Sequence, residues 1–192
     1  MKTLLFNPFK KYSEQQLLIF GLVTAAVGVV FASLTNTHFD GVLDTHFGKS
    51  VSLKTAALQS LINSVSIVLV FYPLGKIINS KTRLIDIFNV SLIVKIPAYF
   101  LLPFNINGWA YKQSEPLISA ISDPFNLQFT PELIVFLALS SILAILIFVW
   151  LIVLLYNGFK VATNLKETKH IIMFIAAIII AEIVSKVLLY FV

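Results

Sequence analysis

The chain has 192 residues, 58% of them hydrophobic and 12% charged. Soluble domains hold about 45–50% apolar and about 25% charged residues, so a sizeable water-soluble domain is excluded and an integral membrane protein is expected. The chain has no cysteine, which excludes disulfides, thiolate metal sites and a cysteine nucleophile. The net charge of +5 would suit nucleic acid in a soluble protein, but here the lysines flank apolar runs, so a lipid bilayer and no nucleic acid is the expected partner.

Residues 1–16 read as a cytoplasmic, interfacial segment. They lack the apolar core and small-residue cleavage site of a signal peptide. Phe6, Phe9 and Tyr12 beside Lys10 and Lys11 suit the headgroup layer. Ser13-Glu-Gln-Gln16 predicts a capping box, in which a hydroxyl and an amide satisfy free N–H groups at a helix start. The membrane domain follows, over residues 17–192.

The first span is expected at 17–34, long enough to cross about 30 Å of hydrocarbon. Gly21, Ala25, Gly28 and Ala32 fall on one helix face. They favour a close internal packing seam over a dimer seam. Residues 35–52 read as a polar connection. The second span, 53–79, carries Asn63, Ser64, Ser66 and Pro73. The third, 82–102, carries Arg83, Asp86, Asn89, Lys95 and Pro97. A charge at the bilayer centre costs at least about 2.5–3.5 kcal/mol on insertion scales, so this span belongs inside the bundle.

A long loop with Pro103, Pro116 and Pro124 is expected over 103–130, with a short amphipathic piece at 117–121 in the interface. Thr130-Pro131 is a helix start, with threonine as N-cap and proline at the first helical position. The fourth span, 131–156, is the most apolar and is expected to face lipid most. The fifth, 170–191, contains Glu182 and Lys186. The predicted fold class is therefore all-α, a polytopic membrane helical bundle with five transmembrane helices.

Orientation follows from the basic residues. Nine of them (Lys2, Lys10, Lys11, Lys76, Lys81, Arg83, Lys160, Lys166 and Lys169) fall at one set of span ends. Three (Lys49, Lys54 and Lys112) fall at the other. The positive-inside rule then predicts N-in and C-out. Spans three and five run the same way. Lys95 lies 11 residues past Leu84, and Glu182 lies 11 past Ile171. At 1.5 Å per residue both stand about 16 Å deep, near the midplane.

Lys95 and Glu182 are therefore expected to face each other. Lys186 is one turn beyond Glu182 and shares its carboxylate or reaches outward. A buried pair predicts that removing both charges is better tolerated than removing either. The alternative use of these residues is a proton or ion relay. Asp86 and Asn89 share a face near the cytoplasmic end of span three, with Arg83 as a partner for Asp86. Lys95 lies on another face.

His38, Asp40, Asp44 and His46 are loose metal-ligand candidates, imidazole and carboxylate being suited to zinc. A solvated loop is the preferred reading, so no metal or other cofactor is expected. G-x-S-x-G, H-E-x-x-H and P-loop motifs do not occur, and an enzyme is not expected.

Five spans in this orientation give weight to several short stretches. They are Asn7-Pro8-Phe9 before Ser13-Glu-Gln-Gln-Leu-Leu-Ile-Phe-Gly21, Phe39-Asp-Gly-Val-Leu-Asp44, Leu74-Gly-Lys-Ile-Ile-Asn79, Arg83-Leu-Ile-Asp86 and Asn157-Gly-Phe-Lys-Val-Ala-Thr163. In this order the chain resembles the Yip family of five-span membrane proteins, most closely its bacterial branch. The resemblance implies a five-span fold, and for eukaryotic members vesicle transport and binding of Rab GTPases. Their Asp-Leu-Tyr-Gly-Pro signature does not occur here, so Rab binding is not carried over.

The expectation is a non-enzymatic scaffold or partner-binding protein of the bacterial inner membrane. Lys10, Lys11, Lys81, Arg83, Lys160, Lys166 and Lys169 would meet anionic lipid or a cytoplasmic protein. Homo-oligomerisation stays open. The alternative is a small transporter or channel using Lys95 and Glu182.

Overall fold

The computed structural model describes residues 2–121 and 129–192; Pro124, expected in a loop, lies outside them. Eight helices are described. They are α1 (Lys2–Phe6), α2 (Glu14–Leu34), α3 (Leu53–Ile78), α4 (Leu84–Ile93), α5 (Ile96–Tyr99), α6 (Trp109–Ala120), α7 (Pro131–Thr163) and α8 (Thr168–Leu189). Two short strands, β1 (Thr37–His38) and β2 (His46–Phe47), pair antiparallel. Several apolar helices indicate a multi-pass membrane protein. Among the described residues, four helices, α2, α3, α7 and α8, are long and apolar enough to cross a bilayer, and a bent fifth unit brings the number to as many as five.

The helix starts follow the expected chemistry. The Ser13 hydroxyl accepts from the Gln16 N–H at 3.3 Å, and the Gln16 side-chain Oε1 accepts from the Ser13 N–H at 3.0 Å. Thr130 accepts from the Leu133 N–H at 3.3 Å, ahead of Pro131. Asn36, Asn107 and Asn164 take positive φ where the chain leaves a helix or turns, a conformation that asparagine tolerates better than most residues.

The third span departs from a regular helix. It runs as α4 and then the single turn α5, broken at Val94–Lys95. Pro97 explains the break, because it has no N–H to offer the Ile93 carbonyl. Residues 103–120 are a second correction. A Leu102–Gly108 turn of 3-10 character leads into α6, and the stretch Leu102–Ala120 bends by 54° from the stretch Leu84–Tyr99. Pro116 sits inside α6, so the expected loop is largely helical. Residues 2–10 are ordered too, as α1 and a 3-10 turn at Pro8–Lys10. They are tied to α7 by Trp150 Nε1 donating to Leu5 O at 2.7 Å and by Asn157 donating to Phe6 O at 2.8 Å.

Helix α4 packs against α2, α3 and α7, so its polar sequence has a central position. The main neighbour of α8 is α3. Phe71, Phe159 and Phe174 join α3, α7 and α8, with ring centroids 5.2–5.7 Å apart. Such aromatic pairs add about 0.5–1.5 kcal/mol each beyond their burial. The small-residue face of α2 is an internal seam. A Cβ on Gly21 would stand 2.8 Å from Leu92 Cβ, and one on Gly28 would stand 2.5 Å from Tyr99 Cε1. Helix α7 is the least buried of the four long helices, as its composition predicts. Its 33 residues span about 50 Å, well beyond the expected 131–156.

The connections alternate between two ends of the bundle. One end gathers the N-terminal segment, residues 79–83 and residues 163–170. Arg83 pairs with Glu14 at 2.6 Å, and Asn79 donates to Thr163 O at 3.3 Å. The other end gathers residues 35–52, the α5–α6 turn and the end of α8. There Asn105 donates to Thr35 O at 2.6 Å, and Lys186 pairs with Asp44 at 2.8 Å.

Candidate functional site

The segment between β1 and β2 does not lie in solvent. Phe39, Gly41 and Val42 are buried, and the loop dips into the end of the bundle. The buried polar residues of α3 receive it. Gln59 accepts from the Phe39 N–H at 3.1 Å, and Asn63 donates to Phe39 O at 3.0 Å. From α8, Ser185 accepts from the Val42 N–H at 3.2 Å and Glu182 accepts from the Leu43 N–H at 2.9 Å. These bonds answer the requirement that a buried backbone be satisfied away from water.

Lys95 completes the latch. Its ammonium, 4% exposed, donates to Gly41 O at 3.1 Å and Val42 O at 3.0 Å. The expected face-to-face contact with Glu182 is therefore corrected. Both residues instead bind the loop backbone, Lys95 at the Gly41 and Val42 carbonyls and Glu182 at the Leu43 N–H. The reason is in the packing: α8 packs on α3 rather than on α4. Gly41 fits because it lacks a Cβ, which would collide with the Glu182 carboxylate. Lys186 pairs with Asp44 at 2.8 Å and with Glu182 at 3.4 Å.

Asp86 and Asn89 belong elsewhere. Arg83 donates to both Asp86 oxygens, at 2.6 and 3.0 Å, and also pairs with Glu14. This ion cluster is at the lysine-rich end, so Asp86 is not part of the midplane core. Asn89, 2% exposed, donates to Glu14 O at 3.1 Å. Glu14, Arg83, Asp86 and Asn89 line a polar pocket of about 300 Å³. An apolar groove of about 460 Å³ lies beside it, between Leu5, Tyr12, Phe20, Phe100 and Trp150. Lys95 and Glu182 line neither one.

The loose metal candidates are resolved into two groups. Asp44 is taken by Lys186. His38, Asp40 and His46 come together, their ligand atoms all within 4.8 Å of one another. His46 Nδ1 contacts Asp40 Oδ2. The two imidazoles stack at 4.6 Å with 4° between planes. Burial and the neighbouring His46 push His38 below the usual imidazole range, against the pull of Asp40.

The sequence reading missed the partners that make this site, namely the backbone of residues 41–43, Ser185 and Gln59. The available signal was Phe39, Val42 and Leu43, three large apolar residues in a stretch read as polar. Compared with protein-family models, curated proteins and solved structures, the chain has no match.

Proposed function

We propose that this chain is a non-enzymatic scaffold of a bacterial inner membrane, with five spans and N-in, C-out orientation, that engages anionic lipid or a protein partner at its cytoplasmic face. The resemblance to the Yip family, carried by the residues quoted above, supports the five-span reading. The nine-to-three division of basic residues supports the orientation.

One observation favours a scaffold over a transporter. The buried ammonium of Lys95 is committed to two loop carbonyls, while Glu182 is committed to Leu43 and Lys186. A relay needs groups free to exchange partners with water or cargo, whereas these groups fasten the chain to itself. The working surface is then the lysine-rich end. Arg83 and Lys169 are paired with carboxylates there, and Lys11 and Lys160 lie over Tyr12 and Tyr156. Lys10, Lys81 and Lys166 are exposed.

The test is binding of anionic vesicles by protein held in neutral nanodiscs. Each lysine near an anionic surface contributes about 1 kcal/mol. Changing Lys10, Lys11, Lys166 and Lys169 together to glutamine is expected to lower binding more than tenfold. Unchanged binding would remove the lipid-facing part of the proposal.

A further inference from the structure

We infer that His38, Asp40 and His46 form a binding site for a zinc-class divalent ion at the mouth of the inward loop. Strand register creates the site. His38 lies directly opposite His46 in the antiparallel pair, so both side chains leave the same face. Asp40 is two residues beyond His38 along the chain and reaches His46. Three nitrogen and oxygen donors thus converge from positions eight residues apart in sequence.

The donor set selects the ion. Two imidazoles and one carboxylate suit zinc, whereas calcium and magnesium take oxygen ligands. Zinc binds such donors at about 2.0–2.2 Å in a tetrahedron. The ligand atoms are already within 4.8 Å of one another, so side-chain rotation closes the set. His46 is the arm that turns, its side chain being 55% exposed. His38 is the inner arm, with Gln59 3.1 Å from its Nδ1, and the hydrogen bond from the Gln59 NH2 to Nδ1 is given up when Nε2 takes the metal. Its Nε2 edge lies against Gly48, where a Cβ would stand 2.7 Å away, so glycine keeps that edge open. Three protein ligands leave a fourth position for water.

Gln59 makes the site tunable. Its oxygen accepts from the Phe39 N–H, so its NH2 group faces His38 Nδ1. Metal binding through Nε2 requires the proton on Nδ1, and an acceptor there would favour it. Gln59→Glu supplies one carboxylate able to accept from both Phe39 N–H and His38 Nδ1–H. Carboxylate support behind a ligating histidine changes metal affinity by about 10–100-fold.

The experiment uses the full chain without a polyhistidine tag, in neutral nanodiscs, stripped with chelator and titrated with Zn²⁺ and with Co²⁺ as a spectroscopic probe. Wild type is expected to take one Zn²⁺ per chain, to melt at higher temperature with it, and to show the visible bands of four-coordinate Co²⁺. His46→Ala and Asp40→Asn lower Zn²⁺ affinity at least tenfold and remove those bands. Gln59→Glu raises it about tenfold or more, and His170→Ala, at the opposite end of the bundle, leaves it unchanged. Circular dichroism establishes that each variant keeps its helices; should His46→Ala fail, Asp40→Asn decides. Equal Zn²⁺ binding by wild type and the ligand variants, or displacement of Zn²⁺ by Ca²⁺, overturns the site.

Discussion

Lys95→Met is expected to destabilise the protein by about 2–5 kcal/mol, since each buried acceptor left without a donor costs about 1–3 kcal/mol. It leaves Gly41 O and Val42 O, now bound at 3.1 and 3.0 Å, without a donor in a segment sealed from water. Glu182→Gln is milder, because a glutamine oxygen still accepts from the Leu43 N–H; about 1–2 kcal/mol is expected. The double variant distinguishes a loop latch from a direct ion pair. A direct pair predicts that removing both charges restores much of the loss. A latch through the loop predicts that the double variant stays within about 1 kcal/mol of Lys95→Met or below it, since both carbonyls remain unsatisfied. Thermal unfolding of the four proteins in one detergent measures this. A double variant nearly as stable as wild type would mean that Lys95 and Glu182 act on each other directly.

The second large effect is at the α2 seam. Gly28→Leu puts a side chain where Tyr99 already stands, 2.5 Å from the first added carbon. Overpacking costs about 1–3 kcal/mol, occasionally more, and the partly buried tyrosine is packed edge-on against the buried Phe39 ring. The expected loss is therefore near the upper end, about 3 kcal/mol. Val27→Leu, one residue away but 57% exposed, is expected to be neutral. Adding Tyr99→Ala to Gly28→Leu should recover part of the loss by removing the obstacle. Equal melting of the Gly28→Leu and Val27→Leu proteins would contradict an internal seam.

These two cases mark how far the sequence can be read. The small residues of α2 were legible because a helix repeats every 3.6 residues, so spacing alone puts Gly21, Gly28 and Ala32 on one face. The caps at Ser13 and Thr130 were legible for the same local reason. Lys95 was legible as a buried group, because its depth follows from helix rise. Its partner was not. Depth ranks residues along the membrane normal but does not say which helices touch, and α8 turned out to pack on α3.

The inward loop was hidden by composition. His38, Asp40, Asp44 and His46 made residues 35–52 look solvated, while Phe39 and Val42 between them go inside. A pattern with no regular period carries no face assignment. The same stretch also shows why the metal candidates could not be sorted earlier. Only the β1–β2 register sets His38 opposite His46, and only the position of α8 draws Asp44 away to Lys186.

The central claim is that residues 39–43 are held inside the bundle by Lys95. The chain has no cysteine, so single cysteines report directly on exposure. Val42→Cys, at a position 1% exposed, is expected to resist a membrane-impermeant maleimide that labels Lys49→Cys rapidly, and to become reactive when combined with Lys95→Met. Labelling of Val42→Cys as fast as Lys49→Cys, with Lys95 in place, would contradict the account.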